Sequence, residues 1–127
     1  SQLELLEEII LKKKKLFKLF NKLLNKYSDK ISIQKIEENT IHSYWLYGIK
    51  FLKNINYNEI EEYFKKNNIE IRPFFYDFRL HEHLKNIKSN DIIKNNNIIL
   101  LPLHPNLTEY DINYIITIID KYLNILY

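Results

Sequence analysis

The chain is 127 residues long, 46% hydrophobic and 28% charged, which is one domain's worth of an ordinary globular sequence and excludes a disordered tail. A net charge of +3, with the lysines spread along the chain, argues against nucleic acid as a partner, and the absence of cysteine excludes disulfides, thiol catalysis and cysteine-bound metal. No apolar run of about 18 residues is present and the N-terminus lacks a secretory layout, so no membrane contact is expected and the expected setting is cytoplasmic.

Residues 2–27 read as one long helix. Leu6, Ile9, Ile10, Phe17, Phe20, Leu24 and Tyr27 recur at three- and four-residue spacing, the mark of a single buried stripe. The run Lys12 to Lys15 interrupts that stripe and covers more than one helical face, so one of these lysines must lie on the core side and snorkel. Ser28-Asp29-Lys30 ends the helix, and residues 31–40 read as a connector. HSYWLYGIKFL, His42 to Leu52, is aromatic and β-branched and reads as a strand, with the chain's only glycine inside it.

A turn over Asn54–Asn58 leads into a second amphipathic helix, Tyr57 to Lys66, with Ile60, Tyr63 and Phe64 on one side. Asn67-Asn68 stops it, because asparagine tolerates the left-handed position past a helix end. Ile69 to Phe75 reads as a strand that Pro73 confines to a sheet edge. Residues 76–94 are polar and loosely helical, residues 95–97 a turn, and Ile98 to Leu101 a short apolar strand. Leu101-Pro102 breaks that strand. Asn106 or Thr108 then caps a last helix, and with Thr108 as the cap Asp111 completes an acidic capping box. Ile112, Ile115, Ile116, Ile119, Tyr122 and Leu123 form that helix's apolar face. The expected fold class is α+β: a small antiparallel or mixed three-stranded sheet with helices packed on one face. The organisation is a single domain over 1–127, with the long helix 2–27 followed by an α+β core over 41–127.

LPLHPNLTEYDINYII resembles the closing signature of the DegT/DnrJ/StrS family of pyridoxal-phosphate-dependent sugar aminotransferases. The pattern is met by Leu101, Pro102, His104, Pro105, Leu107, Thr108, Glu109, Asp111 and Tyr114. NNIEIRPFF is similar to a second family motif at Ile69, Arg72, Pro73, Phe74 and Phe75, and HSYWLYGI to a Ser-x-Trp strand at Ser43 and Trp45. QLELLEEIILKKK is similar to the start of the long helix joining the family's large and small domains. Asn68 and Asp77 depart from the usual glycine and proline.

The resemblance implies the C-terminal small domain of a fold-type I aminotransferase. Its partners would be a catalytic large domain, a second copy in a homodimer, and, in the full enzyme, glutamate and a nucleotide-linked keto sugar, with no nucleic acid and no membrane. Pyridoxal phosphate would be bound by the full enzyme and not by this domain alone, since the family's Schiff-base lysine, pyridine-pairing aspartate and phosphate loop lie upstream. The chain alone should not transaminate. The Arg-Pro-Phe-Phe form leans towards family members that act on GDP-linked 4-keto-6-deoxy sugars, the perosamine-like chemistry of surface polysaccharide synthesis.

Within that frame four residues are candidates for substrate binding: Arg72, His104, Phe75 and Tyr76. A planar guanidinium such as that of Arg72 binds a carboxylate bidentately, and glutamate is the amino donor; pairing with Glu70 is the alternative. His104, held between two prolines, is stiff enough to aim at a hydroxyl, or else packs on the core. Phe75 and Tyr76, with Phe74, line a sugar pocket or fill the core, and Trp45 reads as core. His81-Glu82-His83 does not place two histidines on one helix face and is not read as a metal site. The alternative function is a non-catalytic binding or assembly module derived from the same family.

Overall fold

A computed structural model describes residues 4–75, 81–84 and 97–127. Helix α1, Leu6–Leu24, runs on into a 3-10 turn at Asn25–Tyr27, and strand β1 follows at Ile31–Ile33. Next come β2 (Tyr47–Phe51), α2 (Tyr57–Lys66), β3 (Arg72–Pro73), a 3-10 turn at Glu82–Leu84, β4 (Ile98–Leu101) and α3 (Glu109–Leu126). The strands form one antiparallel sheet in the order β1-β2-β4-β3. The class is the expected α+β, but the sheet has four strands. The fourth, β1, lies in the stretch read as a connector: three residues are too few to show a period-two pattern. The loose helix expected over 76–94 and the turn over 95–97 lie outside the described residues, apart from residues 81–84 and Asn97.

All three helices lie on one face of the sheet. Tyr47, Ile49 and Phe51 alternate inward from β2, Ile99 and Leu101 from β4, and they join one core with Phe17, Phe20, Ile60, Phe64, Ile112 and Ile119. Phe20 stacks on Tyr47 with centroids 4.7 Å apart, and the Tyr47 hydroxyl donates to Asn21 Oδ1 at 2.6 Å. The buried apolar face of α3 is the expected one, with Ile118 added. Its first turn is closed by the Thr108–Asp111 capping box, in which each side chain accepts from the other residue's main-chain N–H. Asn68 takes φ 56 beyond α2, as its sequence implies, and Pro73 sits on an edge strand.

Three differences from the sequence reading have local causes. The strand expected over His42–Leu52 shortens to Tyr47–Phe51, because Tyr44 has φ 52 and its N–H donates back to His42 Nδ1 at 2.9 Å. The strand expected over Ile69–Phe75 shrinks to Arg72–Pro73 for want of ladder donors at Pro73. The apolar stripe of α1 is buried only from Leu16 onward; Leu6 is 47% exposed and Ile9 and Ile10 are half-buried, so the first turns overhang the core. Within this stripe Lys13 is the lysine that snorkels: its Nζ donates to the Trp45 carbonyl at 3.1 Å, and burial lowers its pKa.

Candidate functional site

The candidate site is the face of the sheet turned away from α1, α2 and α3. Residues opposite one another in a ladder share a face. Register therefore sets Arg72, Leu100 and Gly48 in one transverse row, and Ile98, Lys50 and Ser32 in the next. A concavity of about 450 Å³ lies over these rows, lined by Ser32, Trp45, Gly48, Lys50, Phe74 and Leu100 among others. Leu100 is buried yet stands apart from the main core, which places it in the floor of this concavity.

The rim is aromatic. The turn at residues 42–44 is fixed by ring contacts of Phe17 with His42 and Tyr44, at 4.9 and 5.3 Å between centroids. The left-handed backbone at Tyr44 then turns Trp45 outward, so that it is 63% exposed and 6.1 Å from Phe75, itself 56% exposed. Trp45 is therefore a rim residue and not the core residue its composition suggests. Two exposed aromatic side chains in contact are apolar surface that the chain's own core leaves unused.

Gly48 is the chain's only glycine, and nothing among the described residues requires it. Its φ is not positive, and a Cβ there would meet Leu100 Cδ2 at 3.5 Å and Ile98 Cγ2 at 3.8 Å, ordinary contact distances. A glycine in mid-strand costs stability and marks a place where something else comes close to the backbone. The lone glycine was the sequence signal for this face; its position relative to the core could be read only from the register.

The three candidate residues that are described come from separate segments of the chain. Arg72 extends from the edge strand and pairs with Glu70 through Nη2 and Oε1 at 3.3 Å, both side chains being largely exposed. Phe75 follows β3 and its ring lies beside Trp45, and His104 follows β4. His104 is exposed and does not pack on the core; its Nδ1 accepts the Asn106 N–H at 3.2 Å, which puts the proton of the neutral ring on Nε2. Tyr76 lies outside the described residues. Among the described residues no three histidine, aspartate or glutamate side chains come together as a metal ion needs.

A family model for the DegT/DnrJ/EryC1/StrS aminotransferase family matches residues 1–120. The fold is that of several solved aminotransferases. The putative sugar aminotransferase Spr1654 from Streptococcus pneumoniae, in its PMP form, aligns with a TM-score of 0.82 at 19% identity, over 99% of this chain and 33% of that one. The aminotransferase TlmJ from Streptoalloteichus hindustanus gives 0.80 at 16% identity, over 99% and 35%. A DegT DnrJ EryC1 StrS aminotransferase from Brucella abortus gives 0.79 at 18% identity, over 94% and 32%. The chain thus spans about a third of the length of the structures it matches. No curated protein sequence matches it.

Proposed function

The chain belongs to the DegT/DnrJ/EryC1/StrS aminotransferase family, and from that premise we propose that it is the C-terminal, substrate-facing third of a sugar aminotransferase. The reaction is transfer of an amino group from glutamate to a keto carbon of a nucleotide-linked sugar, feeding surface-glycan synthesis, by a homodimer. The observation that carries this reading is the face of the sheet turned away from α1, α2 and α3: a concave apolar floor with an aromatic rim and two basic residues that the chain's own core does not use. The overhanging start of α1 agrees with it. Leu5, Leu6 and Leu11 are 53%, 47% and 57% exposed, and no described residue before Leu16 is buried, as fits a helix whose first turns are covered by a catalytic portion.

Pyridoxal phosphate supplies the electron sink of amino transfer when it is bound. The described residues do not fit it. The one described lysine whose pKa burial lowers, Lys13, has its ammonium on the Trp45 carbonyl, and the single glycine lies in a strand, so there is no phosphate cradle. The cofactor belongs, in this reading, to the catalytic portion.

This chain's residues bind and orient. The Arg72 fork takes the glutamate carboxylate, giving up an exposed pairing with Glu70 that is worth little. Phe75 and Tyr76, with Trp45, present apolar area to the sugar, and His104 offers its Nε2 proton to a hydroxyl. A non-catalytic assembly module is the second reading, favoured by the fact that the core closes within the chain.

The test is to add pyridoxal phosphate and glutamate to the 127-residue chain, then to the same chain joined to the product of its upstream coding sequence. The proposal expects no borohydride-trappable adduct on the first and glutamate-dependent turnover by the second, with Arg72→Ala raising KM for glutamate. A single trapped lysine in the short chain overturns it. An upstream product without turnover leaves the assembly module as the reading.

A further inference from the structure

The turn that carries the aromatic rim has little regular structure of its own. Residues 34–46 form neither helix nor strand. Within them Tyr44 holds its left-handed φ of 52, which a bulky residue adopts only where its surroundings impose it. Those surroundings come from α1. Phe17 meets the rings of His42 and Tyr44, and one turn earlier on the same helix face the Lys13 Nζ donates to the Trp45 carbonyl at 3.1 Å. The ring contacts hold the turn. The lysine bond holds the main chain of Trp45 itself.

Lys13 differs from its neighbours in the lysine run. Lys12 pairs with Glu8 at 2.6 Å and Lys14 and Lys15 are exposed, whereas Lys13 is half-buried. It continues the stripe of Phe17, Phe20 and Leu24, where an apolar side chain would serve packing alone. An ammonium is held there instead, partly out of water, with its pKa lowered by burial and its charge strengthening the bond to the carbonyl.

We propose that Lys13 is the positioning residue of the aromatic rim: its bond to the Trp45 carbonyl sets the peptide plane that follows Trp45, and so the direction in which the indole stands beside Phe75. Lys13 also lies where α1 passes from its exposed first turns to the part buried from Leu16 onward. The rim is thereby referenced to the helix whose start, in the reading above, the catalytic portion covers. That the indole meets a sugar rests on that reading; where the indole stands does not.

Trp45 is the chain's only tryptophan, so its emission reports the rim directly and without substrate. Lys13→Met keeps the apolar stem and removes the donor, Lys13→Arg keeps a cationic donor, and Lys14→Met is the exposed control. In the 127-residue chain, K13M is expected to raise the amplitude of the fast local component of the tryptophan anisotropy decay about twofold, with K13R and K14M close to the parent chain. The urea midpoint of K13M should move by less than about 0.3 M, since one partly exposed bond is lost and the apolar stem stays. Lys13→Ala takes the place of K13M should the methionine variant not fold. An unchanged decay on loss of the donor overturns the proposal, as does the same change in K14M or a K13R that behaves like K13M. Failure of turnover in the joined enzyme would strike the aminotransferase reading and leave this result standing.

Discussion

The two faces of β2 differ as sharply as any two regions of this molecule. Tyr47, Ile49 and Phe51 are fully buried against the helices, while Gly48 and Lys50 between them look out over an open concavity. One face is packed and satisfied by the chain itself: no buried side-chain polar atom among the described residues lacks a partner. The other carries exposed aromatic surface and a glycine that no described neighbour requires. Stability and binding are thus written on alternate residues of one strand, and substitutions on the two faces should separate them.

The largest effect is expected on the packed face. Phe20 is fully buried and stacked on Tyr47, so Phe20→Ala should cost about 3–5 kcal/mol, read from the midpoint of urea unfolding. Trp45→Ala removes a larger side chain from the open rim and should cost under about 0.5 kcal/mol. Equal losses would mean that the rim is part of the core and would remove the contrast.

The packed face should also show itself in alkali. Burial pushes the Tyr47 hydroxyl above the usual tyrosine range, and burial followed by the hydrogen bond to Asp120 does the same to Tyr27. A raised folded-state pKa means that the unfolded chain releases its proton first. The stabilising contribution is therefore complete below about pH 10 and declines as pH rises towards the folded pKa, by about 1.4 kcal/mol per pH unit for one such group. Tyr47→Phe should make the stability curve above pH 10 shallower. It should also lower stability at neutral pH by about 1 kcal/mol, through loss of the bond to Asn21.

A smaller effect is expected at the start of α3. Thr108→Ala removes the cap and should cost about 1 kcal/mol. The Thr108 main-chain N–H and hydroxyl hold Asp111 below the ordinary carboxylate range. A lowered folded pKa gives stability that is present above about pH 4 and lost as pH falls through the folded value. Thr108→Ala should weaken that acid-side dependence too, which unfolding midpoints between pH 2 and 5 would reveal.

How much of this could be read in advance followed the same division. The core side of α2 and α3 was legible because burial imposes a period on the sequence, and Asn68 and Thr108 because a helix end demands particular residues. The open face left no period to read. Trp45, aromatic and set among strand-forming residues, reads as core, and only the left-handed backbone at Tyr44 turns it out. The first turns of α1 show the converse. Leu6, Ile9 and Ile10 have the periodicity of a buried stripe, but among the described residues they are exposed or half-buried. Period reports an apolar stripe, not how much of it is buried.

Gly48 gives the finest division between the faces. A methyl group there would sit 3.5 Å from Leu100 Cδ2 without strain, and alanine loses less backbone freedom on folding than glycine. Gly48→Ala should therefore leave the stability of the isolated chain unchanged or raise it by up to about 0.5 kcal/mol. Gly48→Leu, whose side chain rises further into the concavity, should likewise fold. If the floor is kept bare for a substrate or for the catalytic portion, the leucine variant should fold normally and yet fail in the joined enzyme, and alanine should fail less. If both variants support full turnover, the open face is only a solvated surface and the glycine has no role there. The discriminating quantity is activity at equal stability, because an unfolding curve sees only the packed face.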